Sequence, residues 1–190
     1  MNSKALKISF TLEKDDLKYF RSLHRRAKKE ARDRAPDEIL GEVEALIVEV
    51  RERPAMPSFL DEAISTLESL IEIVHDKDYA VPKGVSRDIV AALAYFARDN
   101  DLIPDNIPAL GFLDDAIMIK FAEEELKEEL WAYEKFTAFR EGAEVRPWSN
   151  VARERLPSRL AAQRKKLRAQ VSKRKEARKD NRTPMFYLGW

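Results

Sequence analysis

The sequence predicts a mainly α fold of about six helices, with a central helical hairpin and a minor N-terminal strand. Three observations carry that expectation. Apolar residues recur at helical spacing along most of the chain. Only 5 of the 190 residues are glycine, while Leu, Ala, Glu, Lys and Arg abound, a balance that favours helices. Hydrophobic residues make up 44%, enough for one sizeable core, and the 36% that are charged supply solvated outer faces for the apolar stripes.

Leu6, Ile8, Phe10 and Leu12 alternate with Lys7, Ser9 and Thr11, a period of two that predicts a short strand. Such a strand needs a partner, either Met185-Phe186-Tyr187-Leu188 of the same chain or a second copy. From about residue 14 to 34, Leu17, Phe20, Leu23, Ala27 and Ala31 form a helical stripe, and Arg25, Arg26, Lys28, Lys29 and Arg32 fall largely outside it. This is a first, basic-faced helix. Pro36 suits the opening turn of a second helix carrying Ile39, Val43, Leu46, Ile47 and Val50, ending before Pro54.

Pro57 and Ser58 open a third helix with the cleanest stripe, Leu60, Ile64, Leu67, Ile71 and Val74, which fades into a loop over residues 76–84. Ser86 is the expected N-cap of a fourth, built on Ile89, Val90, Leu93, Phe96 and Ala97. A long helix follows from about residue 113 to 140. Leu113, Ile117 and Phe121 share one face, while Leu126, Leu130 and Tyr133 lie about half a turn away, so the helix either bends or is contacted from two sides. The last helix, about 150–180, has a thin seam of Leu156, Leu160, Leu167 and Val171. Residues 1–148 are thus expected to form a helical body, and 149–190 a basic extension with an aromatic end, Phe186, Tyr187 and Trp190.

Between the fourth and fifth helices lie Asp101, Pro104, Asp105, Pro108, Gly111, Asp114 and Asp115, which predict a tight corner. Four carboxylates so close invite a hard-cation reading, Mg²⁺ or Ca²⁺. Adjacent helical residues diverge by about 100°, however, so Asp114 and Asp115 do not suit one ion. Carboxylates in a helix's first turn also satisfy free backbone N–H groups and the positive dipole end. Structural caps are therefore expected, with no metal and no cofactor. A divalent-metal-dependent hydrolase using this corner is the alternative function.

The order of these residues resembles the signature of the YkvA-like family, a bacterial domain of unknown function. Its core runs Asp-Leu-Ile-Pro-Asp, then a proline, a glycine and an Asp-Asp pair, as Asp101 to Asp105, Pro108, Gly111, Asp114 and Asp115 do here. The resemblance covers residues 79–122 and implies no biochemical activity. Where members usually carry a proline two residues before the first Asp, this chain has Asp99. Many members look membrane-associated, but Arg87, Asp88, Arg98 and Asp99 interrupt the apolar flanks here.

There is no cysteine, which excludes disulfides, zinc-thiolate sites and thiol catalysis. His24 and His75 stand apart from any nucleophile pattern and read as structural. No run approaches a transmembrane span and no apolar leader opens the chain, so a cytoplasmic location is expected.

The formal net charge of +1 conceals an asymmetry. Residues 151–182 hold thirteen Lys or Arg against Glu154, Glu176 and Asp180, a surplus of +10 that leaves −9 for the rest. Arg164, Lys165, Lys166, Arg168, Lys173, Arg174, Lys175, Arg178 and Lys179 are the candidate polyanion-binding residues, for nucleic acid or an acidic protein. The competing reading folds this helix onto the chain's own acidic face, Glu123, Glu124, Glu125, Glu128 and Glu129. A homodimer through the N-terminal strand or the aromatic end is a further expectation. The function expected is that of a non-enzymatic, soluble helical interaction or adaptor protein.

Overall fold

The computed structural model describes residues 13–52, 58–97, 113–144 and 155–180. Every regular element among them is helical: α1 Lys14–Glu30, α2 Pro36–Arg51, α3 Ser58–His75, α4 Lys83–Leu93, α5 Leu113–Glu144 and α6 Leu156–Asp180, with a 3₁₀ turn Ala31–Asp33 after α1. The expected fold class is corrected in one respect, since no strand occurs among the described residues. Their backbone groups are bonded along helices, so they offer no sheet edge for a period-two segment to pair with. The segment proposed as that strand, its suggested partner 185–188 and the aromatic end all lie outside the described residues.

Local chemistry sets the helix starts. In α1 the Glu13 backbone N–H donates to the Asp16 carboxylate at 2.8 Å, half of a capping box, and Asp15 joins Asp16 in the first turn. Lys28 and Lys29 occupy its last turn, where the dipole favours cations. Pro36 opens α2 as expected. The expected N-cap Ser86 is displaced. Helix α4 begins four residues earlier with Pro82 as N-cap, and the Ser86 N–H already donates to the Pro82 carbonyl at 2.9 Å. Proline's fixed φ and missing N–H suit the point of entry to a helix better than a serine one turn later.

Helix α5 is the axis of the molecule. It packs most extensively on α6 and α3 and also touches α1, which explains its two apolar faces: it is contacted from two sides. Helix α2 lies on α3 and α4, and α1 on α4 and α5. Ile39, Val43, Leu67, Leu70, Ile73, Ile89, Leu93, Met118 and Phe136 are buried in one core, to which α6 adds Leu160, Leu167 and Val171. No helix among the described residues is long and apolar enough to cross a membrane.

The turn after α3 is tied to α5 by Asp76. One of its carboxylate oxygens accepts the Asp78 and Tyr79 amides at 2.9 and 2.8 Å; the other accepts Tyr133 Oη at 3.2 Å and Arg140 at 2.8 Å. Burial alone would raise the proton affinity of Asp76, but these donors outweigh it and hold the pKa below its ordinary 3.8. Burial likewise pushes Tyr133 up to about 12, helped by the charge of Asp76. Ala80 closes the turn with φ of 44°, the left-handed region.

Candidate anion-binding cleft

Two surfaces of the molecule are strongly basic in sequence, and they have opposite surroundings. On α6, Arg168 is bonded to Glu129, Arg174 to Glu128, Lys175 to Glu129 at 2.8 Å and Arg178 to Glu124 at 2.7 Å. Arg164 donates to the Asp78 carbonyl at 3.0 Å. Arg168 also lies 4.4 Å over the Tyr79 ring, and Arg174 lies 4.3 Å over Trp131. Glu128 and Glu129 are 4% and 1% exposed, so their charges need these partners. Lys165, Lys166 and Lys173 remain on the solvent side, and the side chain of Lys179 lies outside the described residues.

Helix α1 and the 3₁₀ turn after it carry a second basic row. Lys14, Lys18, Arg21, Arg25, Lys28 and Arg32 are spaced four, three, four, three, four, which keeps them on one flank. Beside that flank opens a cleft of about 970 Å³ between α1 and α4. Arg25, Lys28, Lys29 and Arg32 line one wall, Arg87 and Asp88 the other, and Glu125 of α5 reaches in with His24. Lys28 is bonded to Glu125. Arg25 donates through Nε to the Arg21 carbonyl at 3.3 Å. Among the described residues, Arg25, Lys29, Arg32 and Arg87 make no ion pair; all four are exposed and border the cleft.

His24 is more enclosed than its place beside the α1 stripe suggested, at 7% exposed. Its Nδ1 lies 3.5 Å from Glu125 Oε2, and its buried Nε2 meets no hydrogen-bond partner among the described residues. Burial pushes its pKa below the ordinary 6.5; Glu125 opposes the shift and Lys28 adds to it. The direction of this shift favours the neutral imidazole near neutral pH. His75 closes α3 as expected, exposed and 3.9 Å from Glu44.

Of the signature corner, Asp101, Pro104, Asp105, Pro108 and Gly111 lie outside the described residues. Asp114 and Asp115 are placed where the sequence predicts, in the first turn of α5, and both are buried. Among the described residues no group of three or more His, Cys, Asp or Glu side chains is arranged to hold a metal ion.

The α1 row was legible as a 4-3-4-3-4 spacing, but the size of the α6 charge surplus drew the sequence reading to the other helix. Arg87 had no such signal. It joins the cleft only because α4 packs beside α1. No curated protein and no solved structure matches this chain. Residues 89–121, from within α4 to within α5, match the model of a family described as a protein of unknown function (DUF1232), so the segment containing the signature is a domain of unknown function.

Proposed function

We propose that the protein is a non-enzymatic helical interaction module that binds an extended polyanion, nucleic acid, through the basic flank of α1. The observation that supports this best is the contrast in pairing: Arg25, Lys29, Arg32 and Arg87 border an open cleft without ion pairs among the described residues, whereas five of the nine basic candidates on α6 are already bonded within the chain. From Lys14 to Arg32 the row spans about 27 Å at the helical rise, and cations one turn apart suit a backbone of repeated phosphates. Helix α6 then acts as a brace, with Lys165, Lys166 and Lys173 as minor contributors. The place of Asp114 and Asp115 in the first turn of α5, at the positive end of its dipole, favours a capping role for them. Cytoplasm is the compartment this reading implies. We also infer a YkvA-like kinship for the signature segment, from the order of Asp101, Pro104, Asp105, Pro108, Gly111, Asp114 and Asp115.

Retention of fluorescent RNA and DNA, followed by anisotropy from low to physiological salt, tests the proposal. Charge reversal at Lys18, Arg25 and Lys29 is expected to lower affinity at least tenfold and to flatten the salt dependence. Reversal at Lys165, Lys166 and Lys173 is expected to change it by less than about threefold. Equal losses from the two sets, or no retention by the wild type at low salt, would remove the α1 flank from this role.

A further inference from the structure

A second recess, of about 580 Å³, adjoins the cleft between α1 and α4 and lies where the turn after α3 meets the start of α4. Arg87 lines both, so the two basic surfaces are continuous at that side chain. We propose that together they form one path for single-stranded nucleic acid, with phosphates passing from α1 over Arg87 to Lys83 and Lys77 and an unpaired base resting on Val74 and Val81. The inference rests on the nucleic-acid reading of the α1 flank and adds to it a second subsite and a choice of strand form.

Charge favours the extension. Lys77, Lys83 and Arg87 are exposed and make no ion pair among the described residues, as is true of Arg25, Lys29 and Arg32 in the neighbouring cleft. That first cleft also holds two carboxylates, Asp88 and Glu125, whereas among the described residues the second holds only Asp76. Asp76 is already bonded to Arg140 and Tyr133, and so leaves the three cations uncompensated. His75, also in the lining, faces Glu44 at 3.9 Å. The form of the ligand follows from the rest of the lining. Val74, Ala80 and Val81 give the recess a mainly apolar surface, and Val74 and Val81 are only partly exposed. Apolar surface beside cations suits a nucleotide, in which a base with a π-face is joined to an anionic phosphate. In a duplex the bases are stacked and paired inside the helix, so a strand with unpaired bases is the form that presents one to such a floor. A duplex would meet the cations and leave Val74 and Val81 in water.

Anisotropy titrations of the full chain at low salt, with a fluorescent single strand and with its duplex, test the inference. The duplex carries the denser charge, so tighter binding of the single strand, expected by about fivefold, reports contact with its bases. Lys77→Glu combined with Lys83→Glu is expected to weaken single-strand binding about tenfold. Val81→Ser is expected to weaken it about threefold and to leave duplex binding unchanged. A measurement on the unaltered protein accompanies these variants: a strand carrying 4-thiouridine is photo-cross-linked to the wild type, with adducts expected on peptides from both 25–32 and 74–87. Adducts confined to 25–32, a duplex bound as tightly as the single strand, or full single-strand affinity in either variant would overturn the inference. If reversal at Lys18, Arg25 and Lys29 still lowers affinity beside any of those results, the α1 flank stands as a nucleic-acid surface without this extension; if that reversal has no effect either, both readings fall.

Discussion

Helices α1 and α6 are both densely cationic, yet the cations of α6 pair mostly with carboxylates of α5, whereas on α1 Lys18 and Arg26 pair within their own helix and Arg25 and Lys29 make no ion pair among the described residues. On α6 the cations meet Glu124, Glu128 and Glu129 of α5, two of which are buried, and three apolar side chains, Leu160, Leu167 and Val171, enter the common core. On α1 Lys28 reaches α5 at Glu125, while Arg25 and Lys29 border a cleft. The difference teaches that a charge run acquires its meaning from what lies opposite. Buried carboxylates turn cations into structural members, because an unpaired charge in a low-dielectric interior is strongly unfavourable. An open wall leaves them available to a ligand.

The comparison breaks most readily at the α6 seam. Leu167→Ala is expected to lower unfolding free energy by about 3 kcal/mol through lost burial and a residual cavity. Arg168→Ala, which leaves Glu129 buried with Lys175 as its remaining partner, is expected to lower it by about 2 kcal/mol. Urea denaturation reads both. If neither variant moves the midpoint, α6 is an arm resting on the body rather than a brace, and the contrast between the two helices disappears.

The α3–α4 turn sharpens the same comparison, because it presents the Asp78 carbonyl to Arg164 and the Tyr79 ring to Arg168. Ala80→Gly is expected to raise stability by about 0.5 to 1 kcal/mol, since a left-handed φ disfavours a side chain more than it disfavours glycine. A lower melting temperature for that variant would show that the Ala80 methyl group contributes packing that outweighs the backbone strain. At the opposite end of the scale, Lys29→Ala is expected to change stability by no more than about 0.5 kcal/mol, as befits a cation outside any ion pair among the described residues.

The last expectation concerns acid. His24 has a folded pKa below its unfolded 6.5, so below that pH the unfolded chain binds more protons than the folded one. Stability is therefore expected to be full above 6.5 and to decline as pH falls, until the folded histidine also protonates. His24→Phe should remove this part of the pH profile. Asp76 adds a loss at lower pH: its contribution is complete above 3.8 and disappears as pH falls through its depressed folded value. Melting temperatures from pH 7.5 to 3 separate the two windows. A wild-type profile flat between 7 and 5 would refute the neutral, buried state assigned to His24.

Much of the helical framework was legible. The stripes of Leu60, Ile64, Leu67 and Ile71, or of Ile39, Val43 and Ile47, are repeats set by the helix itself, and Pro36 marked the start of α2. Two local expectations failed for local reasons. A short alternating run found no strand partner among the described residues, and Ser86 was outcompeted as a cap by Pro82. The candidate site was legible only in half: the α1 row could be read from its spacing, but Arg87 and Glu125 could not be joined to it.

By itself, then, the sequence determined helix identity, the two basic helices and the acidic ridge of α5, because periodicity and charge are properties of neighbouring residues. The tertiary structure decided which carboxylates serve which cations: Glu124, Glu128 and Glu129 turn to α6, and Glu125 turns to α1. Adjacent residues on a helix point about 100° apart, so one acidic run faces two partners, and which partner stands on each side depends on packing between segments far apart in the chain.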